Sequence, residues 1–208
     1  HTHPSGRRGT GKSILSQHGL DVPRHLVAEA EQGLTEHLPF EFPVVLKMTG
    51  VAHKSEHGGV KTGIQDMDAL SQAMAEMAQP HYLIEEMIDG AVAELLVGVT
   101  ADPAHGYMLT IGAGGVLAEI MQDSTSLLLP VTRSDIEAAL DRLKMAPLLA
   151  GYRGKPGADY QTITDAILAI QDYVISHQQH CFEVEINPLI ITPARAVAAD
   201  ALLRIGRE

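Results

Sequence analysis

The chain has 208 residues, a formal net charge of −11, 45% hydrophobic and 20% charged residues, so it can bury a core of its own as one two-lobed domain or two small ones and is too polar to span a membrane. The negative balance excludes a nucleic-acid surface, which needs a basic stripe, but leaves open a phosphate ligand held by a few lysines and a divalent cation. A single cysteine, Cys181, excludes an intrachain disulfide and a cysteine zinc cage and points to a reducing cytoplasm, which no signal peptide opposes.

His1 to Gly11 has no apolar periodicity and reads as a disordered start, an artificial remnant or a cut through a longer chain. Short helical patterns follow at Ile14–His18 and Leu26–Leu38, closed by Pro39 and Pro43. Val44–Met48 is a compact strand, 50–59 a loop with glycine at both ends, and Val60–Ile64 a returning strand. Leu70, Met74 and Met77 mark one face of a helix. His81–Met87 and Ala93–Thr100 read as strands around a turn at Asp89-Gly90, and Tyr107–Ile111 as a third strand ending in Gly112-Ala113-Gly114-Gly115. Ser134 and Glu137 predict a capping box for a helix carrying Ile136, Leu140 and Leu143. Ile163, Ile167, Ile170 and Val174 mark a longer helix, and the polar stretch 151–157 between the two helices is an exposed loop. Strand Cys181–Ile191, a turn at Thr192–Arg195 and strand Ala196–Leu202 close an α+β or mixed α/β chain whose glycines sit at strand ends.

Three motif spellings mislead. Gly6 to Ser13 spells a P-loop with Lys12 as its lysine, but that motif needs a buried strand to deliver the loop to a helix, and only His1–Ser5 precedes it. A P-loop kinase using Lys12 is therefore kept only as an alternative. His53-Lys54-Ser55-Glu56-His57 spells a zinc-protease motif that requires a helix, which the glycines at 50, 58 and 59 disfavour. Gly112 and Gly114 begin a dinucleotide fingerprint whose third glycine position holds Leu117.

Two constellations carry more weight. Lys47 sits inside an apolar strand, where an ammonium ion is costly unless an anion compensates it. The loop that follows can turn backbone N–H groups and Lys54 toward such an anion, so strand and loop together resemble a phosphate clamp. In the C-terminal strand pair, Glu183, Glu185 and Asn187 share one face opposite Phe182, Val184 and Ile186. A four-residue turn at 192–195 would set Asn187 opposite Asp200. Such oxygen donors, without cysteine or histidine, suit Mg²⁺; the alternative is a solvated hairpin face.

Taken in order, Val44-Val45-Leu46-Lys47, the His53-Lys54-Ser55 loop ending Gly58-Gly59-Val60, the 83–102 stretch, Gly112-Ala113-Gly114-Gly115-Val116 and Glu185-Ile186-Asn187-Pro188-Leu189 resemble the ATP-grasp domain of NDP-forming acyl-CoA synthetases. That group includes ADP-forming acetate–CoA ligase and, more distantly, succinyl-CoA synthetase. Pro147-Leu148-Leu149 and Gly151-Tyr152-Arg153-Gly154 look like the same family, and the resemblance covers residues 12–203. It implies an α+β ATP-grasp fold with a smaller lobe at about 23–86, a larger lobe at about 87–203, a tail at 204–208 and a nucleotide between the lobes. Lys47, Lys54, Gly58 and Gly59 would hold the phosphates of ATP or ADP, Glu86 and Met87 would lie against adenine, and Glu94 would contact the nucleotide. Asn187 and Asp200 would bind Mg²⁺, and His53 would be the catalytic histidine that carries phosphate, as an imidazole titrating near neutrality can. The implied reaction makes acyl-CoA from acid, CoA and ATP, through acyl phosphate and phosphohistidine. It needs CoA-binding and CoA-ligase domains for which this chain has no room, so those are its expected partners. A nucleotide-binding regulatory module without turnover is the other reading.

Overall fold

The computed structural model describes residues 5–8, 10–30, 34, 37–49, 59–115 and 122–206. These fall into two compact units, one within Pro23–Ile88 and the other built from the segments to either side of it, up to Val22 and from Asp89 onward. No helix among the described residues is long and apolar enough to cross a membrane.

The smaller unit is a four-stranded antiparallel sheet of β2 (His25–Glu29), β3 (Val44–Met48), β4 (Val60–Ile64) and β5 (His81–Glu86) in the order β2-β5-β3-β4, with helix α2 (Met67–Met77) between β4 and β5. Leu26–Glu29 is thus the end of a strand and not the start of a helix. Val27 faces outward while Ala28 is buried, an alternation of period two that pairing with β5 imposes over the local helical spacing. Val44, Leu46 and Ile84 send their side chains into one small core, where they meet Leu70 and Met74 of α2. Asp66 caps that helix by accepting the N–H of Ala69 at 2.8 Å.

The larger unit holds a seven-stranded antiparallel sheet whose path is β1 (Ser5–Arg8), β11 (Ala201–Ile205), β9 (Cys181–Ile191), β6 (Ala93–Asp102), β7 (Gly106–Ala113) and β8 (Ser124–Leu128), with β10 (Ala196–Ala198) on β9. Residues 5–8 pair with β11, so the segment expected to lack structure contributes an edge strand, and Thr10–Gln17 continues as helix α1. Strand β11 likewise runs to Ile205, into the expected tail. The strands read around Asp89-Gly90 do not form a hairpin: β5 and β6 lie in different sheets, and the turn carries the chain from one unit to the other. Helices α3 (Arg133–Asp141), α4 (Ala146–Ala150) and α5 (Tyr160–Ser176) complete this unit. On α5, Ile163, Ile167, Ile170 and Val174 are at most 1% exposed, each worth about 1.5–3 kcal/mol of burial. The capping box of α3 is Thr132 with Asp135, two residues before the expected pair. Thr132, the N-cap, accepts the N–H of Asp135 through its side-chain oxygen.

Candidate functional site

The C-terminal hairpin keeps the register that a four-residue turn requires. Thr192 N–H donates to Arg195 O at 2.8 Å, and Ala198 faces Leu189, Ala201 faces Ile186 and Leu202 faces Glu185. Asn187 therefore lies opposite Asp200, its N–H donating to the Asp200 carbonyl at 3.3 Å. The register against β6 slips by one residue around Leu96, so that Asn187 and Pro188 together oppose a single position. A bulge of this kind re-aims a side chain locally. A second slip, at Arg204/Ile205, corrects one expectation: Phe182 is 49% exposed and does not join Val184 and Ile186, because the irregularity turns Cys181 inward instead.

The end of β7 meets Asn187. Gly115, just past β7, donates its N–H to Asn187 Oδ1 at 3.1 Å, and Gly114 donates to the Glu94 carbonyl at 2.8 Å. Gly115 has φ +60°, and a Cβ there would run into the Glu94 carboxylate. Glycine adopts this φ without strain and leaves room for the Glu94 carboxylate. An amide oxygen has two lone pairs, so Asn187 keeps one after accepting from Gly115.

Helix α1 braces the other side of the hairpin. Lys12 is 5% exposed and its Nζ donates to Ala199 O at 3.0 Å, while a Cβ on Gly11 would meet Ala201 O at 2.9 Å. These two contacts flank Asp200, whose carboxylate accepts the N–H of Ala201 at 3.0 Å. The P-loop spelling is thus put to another use. Its Gly6-Arg7-Arg8 lies in β1, and its Gly11-Lys12 pins the segment that carries Asp200. Sequence reasoning missed this brace because its partners lie 187 positions apart.

In the smaller unit, the anion that compensates Lys47 is a protein carboxylate. Lys47 Nζ lies 2.6 Å from Glu85 Oε2, and Glu85 is 1% exposed. Val45 faces Glu85 and Lys47 faces Leu83 across the β3–β5 pair, which makes Glu85 the diagonal neighbour of Lys47. Glu86 points the opposite way and accepts from Arg24 Nε at 2.7 Å and from Arg24 N–H at 3.1 Å. The N–H groups of Glu86 and Met87 donate to Arg24 O and Pro43 O. Gly59 is buried, and its carbonyl accepts from Met48 at 2.9 Å. His53, Lys54 and Gly58 lie outside the described residues.

Among the described residues, no group of three or more His, Cys, Asp or Glu side chains comes together as a metal cage. Asn187 and Asp200 instead offer hard oxygen donors few enough to leave coordination positions for phosphate oxygens and water, which fits Mg²⁺ rather than zinc.

A family model described as ATP-grasp domain matches residues 7–205, and the chain belongs to that family. It is similar to ADP-forming acetate–CoA ligase II subunit beta of Pyrococcus furiosus, at 28% identity over 193 residues, covering 86% of this chain and 82% of that one. It is also similar to ADP-forming acetate–CoA ligase I of Archaeoglobus fulgidus, at 28% identity over 211 residues, 95% of this chain but 30% of the relative's length. Among solved structures it resembles the dinucleotide-forming acetyl-coenzyme A synthetase 1 of Candidatus Korarchaeum cryptofilum, with a TM-score of 0.81, 27% identity and coverage of 96% and 92% of the two chains. That structure holds coenzyme A and Mg-AMPPCP, with its phosphohistidine segment pointing towards the nucleotide-binding site.

Proposed function

We propose that the chain is the ATP-binding, phosphoryl-transfer component of a cytoplasmic ADP-forming acyl-CoA synthetase, which converts acid, CoA and ATP to acyl-CoA, ADP and phosphate. The observation that carries this reading is the hairpin register setting Asn187 opposite Asp200, with Gly115 holding the Asn187 amide and Glu94 alongside. Asn187 Oδ1 and the Asp200 carboxylate hold Mg²⁺, which supplies charge neutralisation on the nucleotide phosphates when bound. Lys47, Lys54 and the Gly58-Gly59 backbone take the phosphates, Glu86 and Met87 the adenine, and Glu94 the nucleotide. The Glu85 carboxylate beside it holds the Lys47 side chain in place, so that its Nζ is pre-oriented.

His53 is the relay. Its ring nitrogen bonds to the γ-phosphorus as the bond to the ADP oxygen breaks, and the phosphoryl group then passes to a CoA-ligase domain, where acyl phosphate forms and CoA displaces phosphate. Those CoA-binding and CoA-ligase domains are the partners, whether fused or separate.

The test combines the chain with its partner, labelled ATP, acid and CoA. A His53→Asn variant should retain nucleotide affinity and lose acyl-CoA synthesis. Near-normal synthesis would reject the relay, and a wild-type chain that binds ATP yet never takes up phosphate would make it a regulatory module.

A further inference from the structure

The loop 151–157 holds none of the residues assigned above to the nucleotide or the metal, yet it is built rather than slack. Lys155 N–H donates to Tyr152 O at 3.1 Å, and Ala158 N–H to Leu149 O at 2.7 Å. A Cβ on Gly157 would meet the Ala150 backbone at 2.8 Å, so the loop is pressed tightly onto the end of α4. Arg153 sits at φ +51°, a conformation that costs a non-glycine residue free energy unless its surroundings hold it there. There its guanidinium lies 5.3 Å from the centroid of the Tyr152 ring. Tyr152 is 48% and Leu148 40% exposed, and between this loop and Gly90–Val92 lies a cavity of about 480 Å³.

Charge marks the same stretch of chain, and two of its basic residues, Arg153 and Lys155, line the cavity. The chain carries 15 basic and 26 acidic side chains, and between Arg142 and Gly157 it has four basic ones and no acidic one. Arg142, Lys144, Arg153 and Lys155 are all exposed.

We propose that this face is the docking surface for an acidic segment of the polypeptide bearing the CoA-binding and CoA-ligase domains. The proposal rests on the function given above. A segment of that charge is repelled by the acidic balance of the rest of the chain and attracted here. An exposed tyrosine, arginine and leucine beside an apolar cavity form a surface suited to an anchoring side chain of a protein partner. The backbone hydrogen bonds of the loop lower the ordering cost of presenting them. The relatives supply the need for such a surface: the same domain accounts for 82% of a beta subunit and for 30% of another ligase. A chain like this one therefore meets a remainder more than twice its size.

The experiment measures association of the chain with the companion polypeptide that carries those domains, by sedimentation at about 50 and about 300 mM salt. Arg153→Glu/Lys155→Glu should weaken association by about tenfold or more at low salt and flatten its salt dependence. Tyr152→Ala should weaken association while preserving the salt dependence. Nucleotide affinity and Tm, measured on the same proteins, should match the wild type, because all three side chains are exposed. Association of both variants within about twofold of wild type, or no complex with the wild-type chain, would overturn the proposal. Failure of the phosphoryl-transfer reading shows separately, as a formed complex that takes up no phosphate from ATP.

Discussion

Gly115 and Asn187, 72 positions apart in the chain, are joined by a hydrogen bond of 3.1 Å from backbone N–H to side-chain Oδ1. It fixes which edge of the amide faces Gly115 and leaves the oxygen's second lone pair for a cation. Gly115→Ala should both strain the backbone at φ +60° and push against Glu94. We expect a loss of about 1–3 kcal/mol in stability and a weakened Mg²⁺ dependence of nucleotide binding, read by calorimetry with and without the metal. An alanine variant with the wild-type response to Mg²⁺ would show that the contact does not orient Asn187.

Asp200→Ala should abolish the Mg²⁺-dependent tightening of nucleotide binding while leaving the circular dichroism spectrum unchanged. Unaltered Mg²⁺ dependence would make the hairpin face a solvated surface.

Lys12 separates two mechanisms. As the brace on Ala199 it should, when changed to alanine, remove a charge-assisted hydrogen bond to a half-buried carbonyl and lower stability by about 1–3 kcal/mol. Nucleotide affinity in the absence of metal should stay near wild type, and the coupling to Mg²⁺ should loosen. A P-loop lysine would behave otherwise: its removal would abolish nucleotide binding outright.

Lys47 and Glu85 form a pair of side chains only 13% and 2% exposed. Removing one partner strands the other's charge, so Lys47→Met alone should cost about 3–5 kcal/mol, whereas Lys47→Met/Glu85→Leu should regain most of it. Both variants should fail to bind nucleotide. Recovery of stability without recovery of binding, in paired urea melts and titrations, separates the fold from the phosphate contact. Binding by the double variant would remove Lys47 from the site.

Burial pushes the Cys181 thiol up to about 11, the Glu183 N–H pulling weakly the other way. The folded value lies above that of a free thiol, so the stability that this neutral group contributes is fully present below about pH 8.5 and is lost as pH rises through 11. Tm should accordingly fall across that alkaline interval and fall less in Cys181→Ala. Alkylation at about pH 8 should proceed only as fast as the protein opens; rapid labelling of the native chain would contradict the buried, neutral thiol.

The hairpin register from Glu183 to Arg204 was legible in the sequence because it follows from one turn length and from alternation, both local properties, whereas the slip that turns Phe182 outward was not. Lys47 was legible for the same reason: an ammonium in Val44-Val45-Leu46 demands an anion. Which anion it meets was not, since Glu85 is brought alongside by pairing between strands separated by a loop and a helix. Strand β2 was hidden because Leu26–Leu38 can be fitted to a helical period, and only pairing with β5 selects the other reading. Gly115 was visible as one of four small residues at a strand end, but its use depends on Glu94 and Asn187 arriving from two other strands.

The smaller unit interrupts the larger one. The chain leaves the larger sheet after Asp21, whose carbonyl accepts the N–H of Ala198 on β10, and returns at Val92, whose N–H donates to Ile191 on β9. Exit and return are therefore fastened to neighbouring strands of the same hairpin, and no strand of either sheet is shared. Such a layout is that of a cassette. The interval 23–88 can melt, be exchanged for a relative's counterpart or be replaced by a short bridge without breaking a ladder that holds the remaining sheet together, and a thermal scan should resolve two transitions rather than one.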